Sequence, residues 1–260
     1  MKSTATKATK KQTQSRNTST APERPVEEQV QEALKWLKRN ATKATLDGMA
    51  RYAIPSDKAL GVSMSTIQKL AKQLGRNHAL AAALWETDVY EARTLAAYVE
   101  EPDKVTAAQM DRWCRDFDNW AICDTLCFAL FDRTPHAWQK VAQWSDKRAE
   151  YVKRAAFALL WGLTVHDKRA SDEQFAQGLL YIERAATDDR HFVKKSVNMA
   201  LRATGKRNAA LNAAAVAVAR RLVASPHASA QWIGKDALRE LTSASVTSRL
   251  KARPRAVRAT

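Results

Sequence analysis

Five short segments of this 260-residue chain share one pattern, and their spacing decides the fold: YEAR at 90–93, WAIC at 120–123, YVKR at 151–154, FVKK at 192–195 and WIGK at 232–235. Each segment places an aromatic residue three positions before a basic residue or a cysteine. The aromatic residues are 30, 31, 41 and 40 positions apart. Such intervals leave room for two short helices per unit, which is the spacing of HEAT-like α-helical repeats.

The rest of the chain also favours helices. From Pro25 onward, apolar residues recur at three- and four-residue spacing, with helix starts indicated at Ser63 or Ser65, Thr106 and Ser171 and a helix end at Gly75. Only seven residues are glycine, under half the average usage of about 7%, which disfavours a sheet protein with many tight turns. We therefore predict an all-α fold of HEAT-like repeats, stacked as a curved superhelix with a concave binding face.

The formal net charge of +16 is concentrated at the two ends of the chain. Residues 1–26 carry +5 and residues 249–260 carry another +5, which leaves +6 for the body. We predict a disordered basic tail at 1–25, a repeat domain at 26–245 and a basic C-terminal tail at 246–260. This charge favours a polyanionic partner such as nucleic acid over an acidic lipid surface.

Several classes of protein are disfavoured. The longest clean apolar run, 155–163, has nine residues, far fewer than the ~20 that span a bilayer, so no membrane partner is expected. Three cysteines form neither a disulfide framework nor a zinc site, which predicts buried thiols in a reducing cytoplasm. The five scattered histidines, His191 among them, suit surface or capping roles rather than metal ligation. We expect a nucleoid-associated cytoplasmic monomer.

The candidate chemistry lies in DFDNWAICDTLCFAL at 116–130. Asp124 follows Trp120 by four residues, so a helix projects the carboxylate and the indole side by side. The pattern leaves two interpretations open. In the first, Asp124 pairs with a nearby basic residue such as Arg154 and Trp120 belongs to the core. In the second, Asp124 and Trp120 form part of a functional site.

Four of the five segments carry a basic residue three positions after the aromatic residue, and FVKK carries a second one. If these helix faces line the concavity, they form a track for a phosphate backbone; the alternative is that they are solvated residues on the convex surface. The residues in question are Arg93, Arg154, Lys194, Lys195 and Lys235.

Five runs of the chain resemble the DNA alkylation repair family of AlkD type, whose glycosylases are built from HEAT-like repeats. The resemblance covers about residues 27–241, with its motifs in order. The runs are ARYAIPSDKALGVSMSTIQKLAKQLG (50–75), DNWAICD (118–124), EYVKRAAF (150–157), FVKKSVNMALRATGKRN (192–208) and WIGKDALREL (232–241).

The resemblance implies roles for individual residues. Asp124 matches the family's essential carboxylate, Trp120 the adjoining aromatic and Arg154 the active-site arginine, which would hold a phosphate next to the lesion. Met199 stands where the family has a second Trp that cradles the lesion nucleotide, and a thioether offers a cation less than an indole face does. Further DNA contacts are expected from Lys153 and Arg202, beside the basic track above. No metal or redox cofactor is called for.

The sequence thus predicts a hydrolase that acts as an N-glycosylase in DNA base-excision repair. Its substrate would be double-stranded DNA containing cationic N3- or N7-alkylated purines, with the Asp124 carboxylate stabilising an oxocarbenium-like transition state. The alternative is a non-catalytic HEAT-like module that binds damaged or branched DNA. Protein scaffolding is a third class that the fold alone permits.

Overall fold

The computed structural model describes residues 24–252, and this part of the chain folds as fourteen α-helices with no β-strand. No helix within it has the length and apolar character needed to cross a membrane. The helices are α1 (Val26–Arg39), α2 (Lys43–Met49), α3 (Met64–Leu74), α4 (His78–Glu86), α5 (Tyr90–Val99), α6 (Ala107–Arg115), α7 (Trp120–Ala129), α8 (Ala137–Ser145), α9 (Glu150–His166), α10 (Asp172–Ala185), α11 (His191–Gly205), α12 (Ala209–Val223), α13 (Ala228–Leu241) and α14 (Ala244–Ala252).

The helix boundaries follow local capping chemistry, as the sequence predicted. The side chains of Ser63, Thr106 and Ser171 each accept a hydrogen bond from a backbone N–H of the first turn of α3, α6 and α10. Ser171 completes a capping box with Gln174. Gly75 ends α3 with a φ of +73°, a conformation that glycine adopts without steric cost.

The five helices that carry the repeated segments lie next to one another. Each of α5, α7, α9, α11 and α13 packs against the next, and we call this layer the central row. Helices α4, α8, α10 and α12 pack behind it as a second layer. The prediction of an all-α, HEAT-like repeat fold is therefore confirmed, and each of the five segments lies on a different helix of the central row.

One continuous apolar core joins the repeats, from Val30 in α1 to Leu241 in α13. Stacked indoles join neighbouring repeats: the Trp85 and Trp113 rings lie 4.4 Å apart at an angle of 8°, and both are almost fully buried. Burying such rings removes 150–250 Å² of surface each, roughly, which makes them major contributors to stability. The three cysteines are free and buried within this core.

The last described helix lies within the segment predicted as a C-terminal tail. Helix α14 packs against α13 and buries Val246 and Leu250, so residues 246–252 contact the repeat stack, and the predicted division into domains stays a prediction. Two apolar residues four positions apart form a helix face that the basic charge of this segment obscured. The remainder of the two predicted tails, 1–23 and 253–260, lies outside the described residues.

Candidate functional site

The start of α7 positions the predicted acid. The Asn119 side chain caps this helix by accepting hydrogen bonds of 3.0 Å from the backbone N–H groups of Ala121 and Ile122. The cap makes Trp120 the first helical residue, and Asp124 follows one turn later on the same face. The i, i+4 arrangement predicted from the sequence is thus present.

Asp124 is held by a guanidinium from the neighbouring helix. Arg154 in α9 donates from Nε to Oδ1 at 2.9 Å and from Nη2 to Oδ2 at 2.7 Å, and its Nη1 donates to the carbonyl oxygen of Phe192 at 2.8 Å. The Arg154 side chain is only 4% exposed, whereas that of Asp124 keeps 16% of its surface accessible. The pairing that one interpretation required therefore exists, but it leaves the carboxylate within reach of a ligand.

The surroundings of Asp124 change the pKa of its carboxyl group. Burial raises the pKa of the Asp124 carboxyl above its ordinary value, and the charge and hydrogen bonds of Arg154 act in the opposite direction. Both carboxyl oxygens accept a guanidinium N–H, the geometry typical of an ionised carboxylate in a bidentate pair. The site therefore holds a fixed negative charge in a poorly hydrated place.

The Trp120 indole is fixed at both its polar edge and its face. Its Nε1 donates to the backbone carbonyl of Tyr52 at 2.6 Å. The guanidinium carbon of Arg154 lies 5.9 Å from the centre of the Trp120 ring and 5.9 Å from that of Phe192. The guanidinium thus makes a cation–π contact with each of two aromatic rings, each contact contributing ~0.5–2 kcal/mol.

Around this pair the chain forms a cleft of about 400 Å³, which we call the Asp124 cleft. The structure brings together the predicted residues Trp120, Asp124, Arg154, Lys195 and Met199 in its lining. They come from α7, α9 and α11 of the central row, and the turn at 51–53 faces them.

Five lining residues were not assigned to a site from the sequence: Arg51, Tyr52, Ala53, His191 and Phe192. Phe192 is the aromatic residue of the FVKK segment, so the repeat pattern contained a signal for it. His191 was expected in a surface or capping role, but as the first residue of α11 it lies beside Phe192 in the cleft. Nothing in the local sequence distinguishes Tyr52 from other loop residues.

The turn that carries Tyr52 is tied to the central row. Next to Tyr52, Ala53 has a φ of +52°, which turns the chain sharply. The loop that follows is anchored by the buried Glu91 carboxylate, which accepts hydrogen bonds from the backbone N–H groups of Gly61 and Val62 at 2.7 and 3.1 Å. A buried acid in α5 thereby anchors the loop that follows the turn at 51–53.

The predicted DNA-binding cations divide into two groups. Three of them form ion pairs with carboxylates of the same chain, so their charge is already compensated. These pairs are Arg93 with Asp88 at 2.6 Å, Lys153 with Asp188 at 3.0 Å, and Arg202 with Asp236 at 3.4 Å.

The other three, Lys194, Lys195 and Lys235, form no ion pair with a carboxylate in residues 24–252. All three lie on α11 and α13. Arg154, by contrast, directs its donors to Asp124 and Phe192, so its task in the structure is to orient the carboxylate. A phosphate contact by Arg154 stays a prediction.

Fold and site together define a HEAT-like repeat protein with an acid, a guanidinium and an indole in one cleft of its central row. Residues 33–241 match the family model described as DNA alkylation repair enzyme, and the chain belongs to that family. No curated protein sequence matches it.

Comparison with solved structures gives matches that include the following two. The first is described as "A new family of proteins related to the HEAT-like repeat DNA glycosylases with affinity for branched DNA structures"; it has 17% sequence identity and a TM-score of 0.69, and the match covers 88% of this chain and 98% of that chain. The second, the designed armadillo repeat protein YIII(Dq)4CqI, has 16% identity and a TM-score of 0.31, with 68% and 92% covered. The first supports the HEAT-like fold.

Proposed function

We propose that this protein is a DNA N-glycosylase that hydrolyses the bond between deoxyribose and a cationic N3- or N7-alkylated purine in double-stranded DNA. The observation that carries the proposal is the Asp124 carboxylate, fixed by Arg154 beside Trp120 in an open cleft. Membership of the DNA alkylation repair enzyme family supports the substrate class.

The chemistry needs little more than a well-placed negative charge. Alkylation makes the purine cationic, so its glycosidic bond is weak and the base leaves without being protonated. Positive charge then grows on the deoxyribose as the bond lengthens. A preorganised carboxylate stabilises that charge most strongly where water is excluded. The Asp124 side chain keeps 16% of its surface accessible, so the remaining lone pairs of its oxygens would orient an attacking water.

The aromatic side chains give the cleft affinity for a cation. Trp120 is held in place by its bond to the Tyr52 carbonyl, so its ring needs no reorganisation when a cationic nucleotide approaches. On the opposite side, Phe192 and the half-buried Met199 provide an apolar wall. Contacts of this kind are worth ~0.5–2 kcal/mol with an indole face and less with a thioether.

Cationic residues other than Arg154 would bind the DNA backbone. Lys195 and Arg51 line the cleft at its two sides and are placed to contact phosphates flanking the lesion. Arg154 acts through Asp124 and is therefore a positioning residue. Its buried guanidinium fixes the direction of the carboxylate, as a preorganised site requires.

The second candidate is a non-catalytic module that binds damaged or branched DNA. Two observations favour it: both Asp124 oxygens are already engaged by Arg154, and Met199 provides no second indole. The similar solved structure is described as having affinity for branched DNA. In this case Asp124 would stabilise the stack of repeats and DNA would bind without losing a base.

One assay separates the two candidates. The full-length protein is incubated with methylated duplex DNA, and the released 3-methyladenine and 7-methylguanine are quantified by chromatography. The glycosylase proposal expects release that grows with enzyme concentration. DNA binding without any base release would overturn it in favour of the binding module.

A further inference from the structure

Trp232 is an aromatic residue of the repeat pattern that has no role in the Asp124 cleft. It lies on α13 and is 39% exposed, so it is one of the few large apolar side chains with substantial access to solvent. The Nζ of Lys194 in α11 lies 5.2 Å from the centre of its ring. An indole and an ammonium group thus form a small surface next to the cleft.

Packing does not account for this exposure. The equivalent aromatic residues of the preceding segments are half-buried, and the Tyr151 and Phe192 rings lie 5.7 Å apart between α9 and α11. The packing of α13 is made by its other face, where a Cβ on Gly234 would come within 2.6 Å of the Ala219 carbonyl oxygen. The Trp232 side chain therefore lies at the surface and is not part of the packed core.

The charge around Trp232 is uncompensated. Lys194 and Lys195 on α11 and Lys235 on α13 have no carboxylate partner in the described part of the chain. Acidic groups do occur nearby, but they are engaged: Asp236 accepts from Asn198 at 2.7 Å and lies 3.4 Å from Arg202. Of these three lysines, Lys194 contacts the exposed indole and Lys235 follows Trp232 by three positions on the same helix, so unpaired positive charge adjoins Trp232.

We propose that Trp232, Lys194 and Lys235 form a binding platform for an unpaired nucleotide of DNA, which we call the Trp232 platform. The indole stacks on the unpaired base, and the two ammonium groups bind the phosphates beside it. Lys195 lines the Asp124 cleft and follows Lys194 directly in the chain. The platform and the cleft are therefore neighbours, and one DNA strand would contact both. This inference rests on the DNA binding of the proposed function and deepens it.

The chemistry selects an unpaired base in particular. A base inside a duplex is already stacked on both faces, so it must be unstacked before it can lie on Trp232. A protein partner with an apolar surface would not need two uncompensated lysines beside one indole. The protein should therefore prefer a duplex with a single-stranded segment over a blunt duplex of the same sequence.

The test compares two labelled DNAs, a blunt duplex and the same duplex with a short single-stranded tail that carries 2-aminopurine. Fluorescence anisotropy gives the affinities, and the quenching of 2-aminopurine reports stacking on an indole. The variants are Trp232→Ala, Trp232→Phe and, as a matched control, Tyr181→Ala. Tyr181 also carries a cation over its ring, Arg184 at 5.1 Å, but it lies on α10 in the other layer.

We expect Trp232→Ala to weaken binding of the tailed DNA by about tenfold and to abolish the quenching, while binding of the blunt duplex stays unchanged. Trp232→Phe should keep most of the affinity, because a phenyl ring also stacks. Tyr181→Ala should match the wild type on both DNAs. An equal loss on both DNAs, or no loss on the tailed one, would overturn the platform.

Base release is measured in parallel on blunt methylated duplex. If the wild type releases bases but Trp232→Ala binds tailed DNA normally, the platform is wrong and the glycosylase proposal stands. If no base is released but the tail-specific loss is seen, the glycosylase proposal fails and the platform stands. A wild type that binds neither DNA overturns both.

Discussion

Asp124 and Arg154 meet through two parallel hydrogen bonds of 2.9 and 2.7 Å that join α7 to α9 across the central row. Because the guanidinium is 4% exposed and the carboxylate 16% exposed, the pair is largely removed from water. Removing one partner of such a pair leaves the other as an unpaired buried charge, at a cost of roughly 3–5 kcal/mol. The same pair thus holds two repeats together and aims the carboxylate into the cleft.

The first prediction concerns Met199, where the family pattern has Trp. Met199 lines the cleft near Lys195, so Met199→Trp should place a flat indole beside the bound nucleotide. We expect faster base release or a wider range of accepted lesions, by a factor of about 2–30 for a gain of ~0.5–2 kcal/mol. Single-turnover base release on several methylated duplexes measures the change.

A matched control is Met64→Trp, because Met64 is 37% exposed on α3 and lies outside the cleft. That variant should release bases at the wild-type rate. If Met199→Trp folds normally and also shows no change on any lesion, position 199 has no part in cradling the nucleotide.

The sequence predicted the fold better than the site. Repeat spacing identified all five helices of the central row because an aromatic residue recurs in the first half of each, at position one or two of α5, α7, α9 and α11 and at position five of α13. The predicted pair Trp120 and Asp124 is in place for a similar reason, since both lie on one helix face. Local periodicity is enough for relationships within a helix.

Relationships between distant segments were harder to predict. Tyr52 reaches Trp120 over 68 positions of sequence, through a backbone carbonyl that any residue could provide. Likewise, the sequence placed Arg93 on a basic track, but it did not show that Asp88 would occupy its guanidinium. Which cations stay free depends on side-chain geometry between loops and helices, and no spacing rule describes that.

The second prediction concerns the ends of the chain. Residues 1–23 contain five basic residues and one acidic residue, and residues 253–260 contain three basic residues. Removing both segments should make the slope of log affinity against log salt concentration less steep. The slope should change by about 0.9 for each phosphate that these basic residues neutralise in the full-length protein. Base release should persist, because the Asp124 cleft lies within residues 51–199.

Anisotropy titrations on blunt duplex over a range of salt concentrations measure this slope for the full-length and the trimmed protein. A trimmed protein that no longer binds DNA would disprove the assignment of the binding surface to the central row.

The third prediction is a dependence of stability on pH. Hydrogen bonds from Arg190 lower the pKa of Asp188 to about 2, burial opposes this, and Lys153 adds a further hydrogen bond. A carboxylate with a lowered pKa in the folded state stabilises the protein above its ordinary pKa, and that stabilisation is lost as the pH falls from about 4 to about 2. Asp188→Asn should therefore cost about 2 kcal/mol at pH 7 and little at pH 2.

Urea unfolding at a series of pH values measures this difference. The neighbouring Asp189 is exposed, so Asp189→Asn provides a control of the same charge change at the next position. A constant deficit for Asp188→Asn at every pH would show that its role is packing rather than charge. A deficit equal to that of Asp189→Asn would show that the hydrogen bonds to Arg190 and Lys153 contribute nothing measurable.

The last prediction concerns the Asp124 carboxylate itself. Asp124→Asn keeps the shape of the side chain but removes its charge, so it should weaken the stabilisation of positive charge on the deoxyribose. We expect the single-turnover rate to fall by about 10²–10³, comparable to the loss of one preorganised oxyanion-hole donor, with duplex affinity little changed. The same substitution leaves the buried Arg154 without its counter-charge, so the melting temperature should fall as well.

Both effects must therefore be measured on one sample. Asp146→Asn is the control, because the Asp146 side chain is 69% exposed and its nearest cation is 3.9 Å away. The base-release rate is divided by the folded fraction, obtained from the melting curve at the assay temperature. A catalytic carboxylate predicts a large loss that remains after this correction, whereas a purely structural pair predicts that the corrected rate equals that of the wild type. In the second case Asp124 would only join α7 to α9, and the non-catalytic DNA-binding module would become the better account of the protein.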